Sequence, residues 1–310
     1  MNKTSWKATG AIVLAAGMLS AQTPQRTFAT PEAAVDALIA AVKSGNTDEM
    51  AAVLGEEMRE QFRPGDPVLS DLDRAEYLQA AQIAKKIEND AIPDHLILYV
   101  GANEWPFPAP LVKDGDGWRF DGKAGRQEVL DRRIGHNEMH TVEICFGYVE
   151  AQTDYARTDH DGNGILEFAQ HLISTPDRHD GLYWRDGTGS SPFGPSVAES
   201  DRLVSPGDAA GTATTPRPRH HRGYHFRILT AQGENAVGGA RNFLIEGHLL
   251  GGFGLIAWPK EYGATGIQTF IVNQLGVVYA KDLGADTATV APAISAFNPD
   301  PSWKKLDPAE

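Results

Sequence analysis

Cysteine is nearly absent from this sequence. Cys145 is the single thiol among 310 residues, so no intramolecular disulfide can form. Its neighbours Ile144 and Phe146 are apolar, and such a thiol is typical of a buried packing residue. We therefore expect Cys145 to lie in a core and not to act as a nucleophile.

Basic residues are in the minority. The chain has 28 Lys and Arg against 41 Asp and Glu, which gives a formal net charge of −13 at pH 7. An acidic surface repels nucleic acid and anionic lipid, and no stretch interleaves basic with aromatic residues. We expect a soluble protein without a nucleic-acid partner.

Long hydrophobic runs are also missing. The apolar run from Ala11 to Leu19 is shorter than the ~20 residues that a membrane-spanning helix requires. Lys3 and Lys7 precede the run and small residues follow it, which is the pattern of a secretory signal peptide. We expect a signal peptide at residues 1–21, no membrane span after its cleavage, and a periplasmic or secreted location.

Recognisable catalytic motifs are lacking. There is no nucleophile elbow, phosphate-binding loop or dinucleotide-binding fingerprint. His136 and His140 are four residues apart, but the acidic residue between them is misplaced for a zinc-peptidase motif. His220, His221 and His225 stand among arginines, which disfavour a bound cation. No catalytic residue can be assigned, and the sequence favours a protein that is not an enzyme.

Helical spacing dominates the start of the chain, and extended runs follow it. Thr30 and Pro31 form a helix start, and the spacing predicts helices over 31–43, 47–54 and 71–89. The predicted strands are His95–Val100, Pro106–Val112 and Trp118–Phe120. These elements predict an α+β domain over residues 22–125.

The segments TPEAAVDALIAAVKSGN and PLVKDGDGWRF open and close this order of elements. With them, the domain resembles NTF2-like and cystatin-like domains. That resemblance implies helices packed on a small, curved antiparallel sheet.

A long helix is predicted from Gln127 over about 30 residues, because its apolar residues keep the helical period. A short helix over Leu166–Ile173 and a long loop over 174–222, rich in Pro, Gly, Ser and Asp, come next. The remaining predicted strands are Tyr224–Leu229, Phe243–Glu246, Gly254–Ala257, Gln268–Val272 and Gly276–Ala280. We expect a second domain over 126–310, in which the long helix packs on an antiparallel meander.

The segments GYHFRIL, FGLIAWP and TFIVNQLGVVY, following one long helix, give this second domain a resemblance to type IV pilin-like heads. The leader lacks the prepilin junction, and the long helix is internal. The resemblance therefore implies an exported soluble module with a pilin-like fold.

The chain also contains the longer motifs WPFPAPLVK, GWRFD, DGNGILEFAQ, LISTP, DGLYW and GGFGLIAWPKEYGATGIQTFIVNQLGVVYAKDLG. With these motifs it resembles the bacterial family known as domain of unknown function 2950. The resemblance implies secretion and a two-part architecture. The resemblance implies no activity for any of these residues.

One segment has the spacing of a calcium-binding loop. Asp159, Asp161 and Asn163 supply oxygen at alternate positions, a glycine follows, and Glu167 falls at the ninth position. Gln170 stands at the twelfth position, where a bidentate Glu is usual. A solvated turn that ends a helix favours the same residue types. The sequence predicts calcium at Asp159, Asp161, Asn163 and Glu167, with the plain turn as the alternative.

Together these patterns predict an exported soluble protein that binds or scaffolds and is not an enzyme, with a calcium-stabilised loop and an unknown protein or cell-envelope partner. Two alternatives stay open. One is a secreted hydrolase with a pocket under the 174–222 loop, and the other is a surface or pilus-associated subunit. Calcium is the single predicted cofactor.

Overall fold

The N-terminal part of the chain is helical up to residue 83. The computed structural model describes residues 24–62, 71–160, 162–176, 178–184, 191–193 and 223–306. The predicted signal peptide and most of the predicted 174–222 loop lie outside these residues. The helices are α1 (Pro31–Ser44), α2 (Thr47–Leu54), a 3-10 helix (Glu56–Phe62) and α3 (Asp71–Ile83). The predictions of α1 and α2 are confirmed.

Local signals set the ends of α1. The Thr30 hydroxyl accepts a hydrogen bond from the Ala33 N–H at 3.2 Å, and Pro31 follows in the first turn. Gly45 ends the helix with φ of 67°, a left-handed conformation that glycine adopts without steric cost.

The predicted third helix is wrong beyond Ile83. Residues Lys85–Asn89 form strand β1, which pairs antiparallel with β2 (His95–Val100). Ile87 is the one apolar residue in this stretch, so it fits a helical period and an alternating period equally well. Pairing with β2 decides in favour of the strand.

The N-terminal sheet is antiparallel, in the order β1-β2-β4-β5, with the short β3 also paired with β2. Its further strands are β3 (Trp105–Pro106), β4 (Leu111–Asp114) and β5 (Gly117–Phe120). The sheet and the helices before it enclose what we call the N-terminal core. Its largest buried side chains are Leu38, Met50, Leu54, Met58, Leu98, Leu111 and Phe120.

Helix α4 runs from Gly122 to Tyr155 and is 34 residues long. The Asp121 carboxylate caps it by accepting the N–H groups of Lys123 and Ala124, so it begins five residues before the predicted Gln127. A Cβ at Gly125 would lie 2.6 Å from the Ala109 Cβ, so only glycine allows this close approach. None of the helices in the described ranges is both long and apolar enough to cross a membrane.

The C-terminal sheet is an antiparallel meander in the order β16-β15-β14-β13-β8, which confirms the predicted architecture. Its strands are β8 (Tyr224–Leu229), β13 (Gly254–Pro259), β14 (Gln268–Asn273), β15 (Tyr279–Asp282) and β16 (Lys304–Lys305). Three short pairs accompany it: β6 (His171–Ile173) with β7 (Gly181–Tyr183), β9 (Ala231–Gln232) with β10 (Arg241–Asn242), and β11 (Leu244–Ile245) with β12 (His248–Leu249).

Both faces of this sheet carry a hydrophobic cluster. Because side chains alternate along a strand, Phe270 and Val272 point to one face and Ile271 to the other. The C-terminal half of α4 packs on the first face and forms the C-terminal core. On the second, outer face, Ala291 of the short helix α5 (Thr287–Ala293) packs in a smaller cluster with Ile271.

Two polar side chains fasten the middle of α4 to the connection between β13 and β14. The Asn137 amide donates to the Thr265 carbonyl at 2.9 Å. One oxygen of Glu138 accepts the N–H groups of Ile267 at 2.8 Å and Gln268 at 2.9 Å. The helix is therefore fixed both in rotation and in register against the sheet.

The helix predicted over Leu166–Ile173 is absent. Residues 165–169 have no regular structure, and β6 follows. The buried Gln152 side chain accepts the Ala169 N–H at 2.8 Å and donates to the Ala169 carbonyl at 2.9 Å. A helix would need that N–H for a carbonyl four residues earlier, so this contact and the helix exclude each other.

Replacing Gln152 with Leu should destabilise the protein strongly. The change leaves the N–H and C=O of Ala169 buried without partners, and each such group costs about 1–3 kcal/mol. We expect the free energy of unfolding, measured with urea, to fall by about 3 kcal/mol. Thr153→Ala, at the exposed neighbouring position, should change it by less than about 0.5 kcal/mol. Equal effects of both changes would contradict this role for Gln152.

Candidate functional site

The loop that follows α4 is organised by Asp159. One carboxylate oxygen accepts the N–H groups of Gly162 at 2.8 Å and Asn163 at 3.2 Å. The other oxygen accepts the Gly164 N–H at 2.8 Å. Gly162 and Gly164 have φ of 74° and 82°, which other residues adopt rarely. The sequence pattern of acids and glycines thus forms a tight loop around one carboxylate.

Glu167 connects this loop to the β11–β12 hairpin. Its Oε1 lies 3.0 Å from Nδ1 of His248 and accepts the Asn163 amide at 3.3 Å. Its Oε2 accepts the Leu249 N–H at 3.2 Å and the Gln170 amide at 3.4 Å. The Gln170 amide also donates to the Gly247 carbonyl at 2.8 Å. The hairpin is therefore held to the loop by side chains that a calcium loop would use at positions nine and twelve.

The Glu167 carboxyl is largely buried, with 14% of its side-chain surface exposed. Burial alone would raise its pKa, but the hydrogen bonds that it accepts, first of all from His248, outweigh burial. The pKa of Glu167 is consequently held below its usual value, and the group is a carboxylate at neutral pH.

The capacity for calcium differs among the predicted ligands. A carboxylate offers about four lone-pair positions. Asp159 has three of them filled by N–H groups, and Asn163 has one position of its carbonyl oxygen filled by the Ile165 N–H at 2.7 Å. Glu167 has all four positions filled, so it fits the ninth position of such a loop only through water, as is common there.

Asp161 lies outside the described residues. Among those that are described, no three His, Cys, Asp or Glu side chains converge as a metal site would require. The predicted metal site of Asp159, Asp161, Asn163 and Glu167 therefore remains a prediction. The predicted helix on its far side is replaced by irregular chain followed by β6, so the loop is not flanked by two helices as in an EF-hand.

A stack of rings next to the loop was not predicted from the sequence. The His160 ring stacks on Tyr155 at 4.2 Å, and its edge meets Trp184 at 5.5 Å between centroids. The His179 ring stacks on Trp184 at 3.9 Å between centroids. The Tyr155 hydroxyl donates to the His179 carbonyl at 2.8 Å. The motif DGLYW contains this tryptophan, but its spacing from the loop gives no sign of the contact.

In the described part of the chain, the other histidines that the sequence analysis considered form no group of three or more possible metal ligands. His140 lies 3.1 Å from Glu143 on its own helix, and His136 is exposed. His225 lies on β8 beside Trp258, at 5.3 Å between ring centroids. Burial and the nearby Lys260 lower the pKa of His225. His220 and His221 lie outside the described residues.

The prediction that Cys145 is a packing residue is confirmed. It is fully buried in the C-terminal core, and burial raises the pKa of its thiol to about 12. At neutral pH it is a protonated thiol without access to solvent, and such a group is a poor nucleophile.

Glu167→Gln should reduce the dependence of stability on pH. Because the folded-state pKa is lowered, the carboxylate stabilises the protein above its unfolded pKa of about 4.3, and this contribution disappears as the pH falls through the folded value. We expect the wild type to be more stable than the variant at pH 7 and the difference to shrink below about pH 4. Urea unfolding at several pH values measures it. The exposed Glu150→Gln is the matched control, and a constant difference for Glu167→Gln would contradict the assignment.

Comparisons with known proteins support the resemblance seen in the motifs. A search of the curated proteins and a search of the solved structures each find no match for the chain. The family described as "Protein of unknown function (DUF2950)" matches residues 25–306, which include both cores, α4 and the loop at Asp159. Because this match covers most of the 310 residues, the chain belongs to the family described as Protein of unknown function (DUF2950).

Proposed function

We propose that this chain is an exported binding or scaffold protein, and that calcium in the Asp159–Glu167 loop braces the end of its long helix. The observation that carries the proposal is the position of the loop. It lies between the last turn of α4 and the segment that Gln152 and Glu167 attach to the C-terminal core and to the β11–β12 hairpin.

A binding or scaffold role agrees with the use of α4 in both cores. Val129 near its start is buried in the N-terminal core, while Tyr148 and Tyr155 near its end are buried in the C-terminal core. An element of this kind holds two surfaces at a fixed separation. The first turns of α4 are packed against Ala109 and Met58, so they do not project for bundling in a pilus.

Two groups that could have served as nucleophiles are already engaged in structural roles. The Cys145 thiol is buried and protonated. The buried Ser174 hydroxyl donates to the Gly181 carbonyl at 3.2 Å and accepts the Gly181 N–H at 3.0 Å. Both observations favour binding over hydrolysis.

Calcium would act here by linkage. A cation that binds the folded loop and not the unfolded chain shifts the equilibrium toward the folded state, by an amount that grows with its concentration. Asp159 and Asn163 would each contribute an oxygen, and Asp161, between them in the sequence, supplies the charge that the motif requires. Extracellular modules bind calcium at about 0.1–1 mM, a concentration range that suits an exported protein.

Calcium at about 2–5 mM should raise the melting temperature of the purified protein, because this concentration is several times the dissociation constant of about 0.1–1 mM that extracellular modules have. Differential scanning calorimetry measures this rise, with magnesium at the same concentration as the ion control. Asp161→Ala should abolish the rise. Asp154→Asn, an exposed carboxylate at the end of the same helix, should preserve it. No rise in the wild type, or an equal rise in Asp161→Ala, would refute the calcium site.

A further inference from the structure

Strand β1 lies at one edge of the N-terminal sheet. It pairs with β2 on one side, and within the part of the chain that the structure describes no strand pairs with its other side, which we call the free edge. An open groove runs beside the free edge, where Ile87, Glu88 and Asn89 of β1 and Pro31 and Glu32 of α1 contribute to its lining. An edge strand with space beside it is a template for a further strand.

Hydrogen bonds at the two ends of β1 show which of its backbone groups are free. The Gly101 N–H donates to the Ala84 carbonyl at 3.0 Å, and the Asp90 N–H donates to the His95 carbonyl at 2.9 Å. Because an antiparallel strand directs its N–H and C=O groups to either side at alternate residues, the even-numbered residues from 84 to 90 bond to β2. The N–H and C=O groups of the three odd-numbered residues of β1 therefore point to the free edge.

The charged side chains of β1 favour a second copy of β1 as the partner, and they select one register. Two antiparallel copies can bond through their odd-numbered residues only if the two-fold axis passes through a residue position. An axis at Lys86 would place two lysines opposite each other, and an axis at Glu88 would place two carboxylates opposite each other. An axis at Ile87 places Lys86 of each copy opposite Glu88 of the other, in a non-hydrogen-bonded pair, where side chains come closest.

The row of charges on this face has room for the new pairs. The Lys86 ammonium lies 2.7 Å from the Glu88 carboxylate of its own strand and 3.5 Å from that of Glu104, yet the side chains of Lys86 and Glu88 remain 50% and 46% exposed. Their neighbours across the ladder on β2, Tyr99 and Ile97, are uncharged. In the register centred on Ile87, two lysines and two glutamates form a square in which the signs alternate.

The other face of β1 adds no contact between like charges along the paired strands. Lysines on an edge strand commonly oppose pairing with another chain. Lys85, however, forms an ion pair with Asp36 of α1 at 2.6 Å, and in this register it stands opposite the neutral Asn89 of the second copy. It then reaches the part of the groove that Glu32 lines, which is a second contact between opposite charges.

Two exposed apolar side chains flank β1. Ile83 is 62% exposed and Ile92 is 54% exposed. In the same register, Ile83 of one copy faces the residue next to Ile92 of the other copy. Association would therefore shield apolar surface from water at both ends of the pair.

We propose that two copies of this chain form a dimer through β1, with the two-fold axis at Ile87 and one antiparallel sheet that continues across both copies. An unrelated strand could bond to the same backbone groups, but β1 itself carries the charges that complement β1. The inference goes beyond the calcium-braced scaffold and does not rest on it. A dimer would present each surface of the scaffold twice.

Sedimentation velocity of the purified full-length protein tests the dimer, with EDTA present so that calcium plays no part. One strand pair is a small interface, so we expect a dissociation constant of about 100 µM in a series from about 10 µM to 1 mM. Lys86→Glu and Glu88→Lys each place like charges opposite each other, and each should weaken association about tenfold. The double variant Lys86→Glu/Glu88→Lys exchanges the two charges and should restore association.

Lys305→Glu is the matched control, because Lys305 is an exposed lysine on the edge strand β16 of the C-terminal sheet. This change should leave association unaltered. Amide hydrogen exchange gives a second readout. The Ile87 N–H should gain protection as the protein concentration rises, whereas the Lys86 N–H, which faces β2, should change little.

A chain that stays monomeric up to about 1 mM would overturn the proposal and leave the free edge to a different partner. A dimer that Lys86→Glu leaves unchanged would also overturn it, because the interface would then lie elsewhere. Failure of the double variant to restore association would refute the register at Ile87. Each of these results leaves the calcium-braced scaffold intact, since the melting temperature tests that proposal separately.

Discussion

The structure depends on one helix being shared by two hydrophobic cores. Val129 of α4 is buried with Leu111 and Phe120 in the N-terminal core, and Tyr148 of the same helix is buried in the C-terminal core. Since the helix is 34 residues long, about 50 Å at 1.5 Å per residue, the two cores are held at its opposite ends. The hydrogen bonds of Asn137 and Glu138 fix its middle against the β13–β14 connection.

The end of this helix determines the position of the candidate site. Tyr148 donates to the Gly254 carbonyl of β13 at 3.0 Å, and Gln152, one turn further on, holds Ala169. The Asp159 loop lies between these anchors, and Glu167 carries the connection onward to His248. A cation in the loop would therefore act on the helix end and on the hairpin together, which is why we relate calcium to stability and not to catalysis.

Much of the fold could be predicted from local signals. Thr30, Pro31 and Gly45 bound α1, and short apolar runs separated by Gly-containing turns indicate β8, β13 and β14. Predictions failed where a distant partner decided the outcome. Lys85–Asn89 became a strand because β2 is available for pairing, and residues 166–173 did not form a helix because Gln152 binds Ala169. Phe243–Glu246 was predicted as one strand, and it forms only the short β11 of a separate hairpin.

In the candidate site, too, the local contacts could be predicted and the long-range contacts could not. The spacing of Asp159, Asn163 and Glu167 indicated the loop because its contacts are local. The contact between Glu167 and His248 joins residues 81 positions apart, and no local pattern contains it.

Hydrogen exchange after breaking α4 in its middle tests the shared helix most directly. Met139 is 66% exposed, so Met139→Pro disrupts the helix, by about 3 kcal/mol or more, without removing a core side chain. Met139→Ala is the matched control. The account predicts that Met139→Pro lowers amide protection in α1 and in β14 alike. Loss of protection in only one of these elements would show that the two cores are independent, and it would contradict the account.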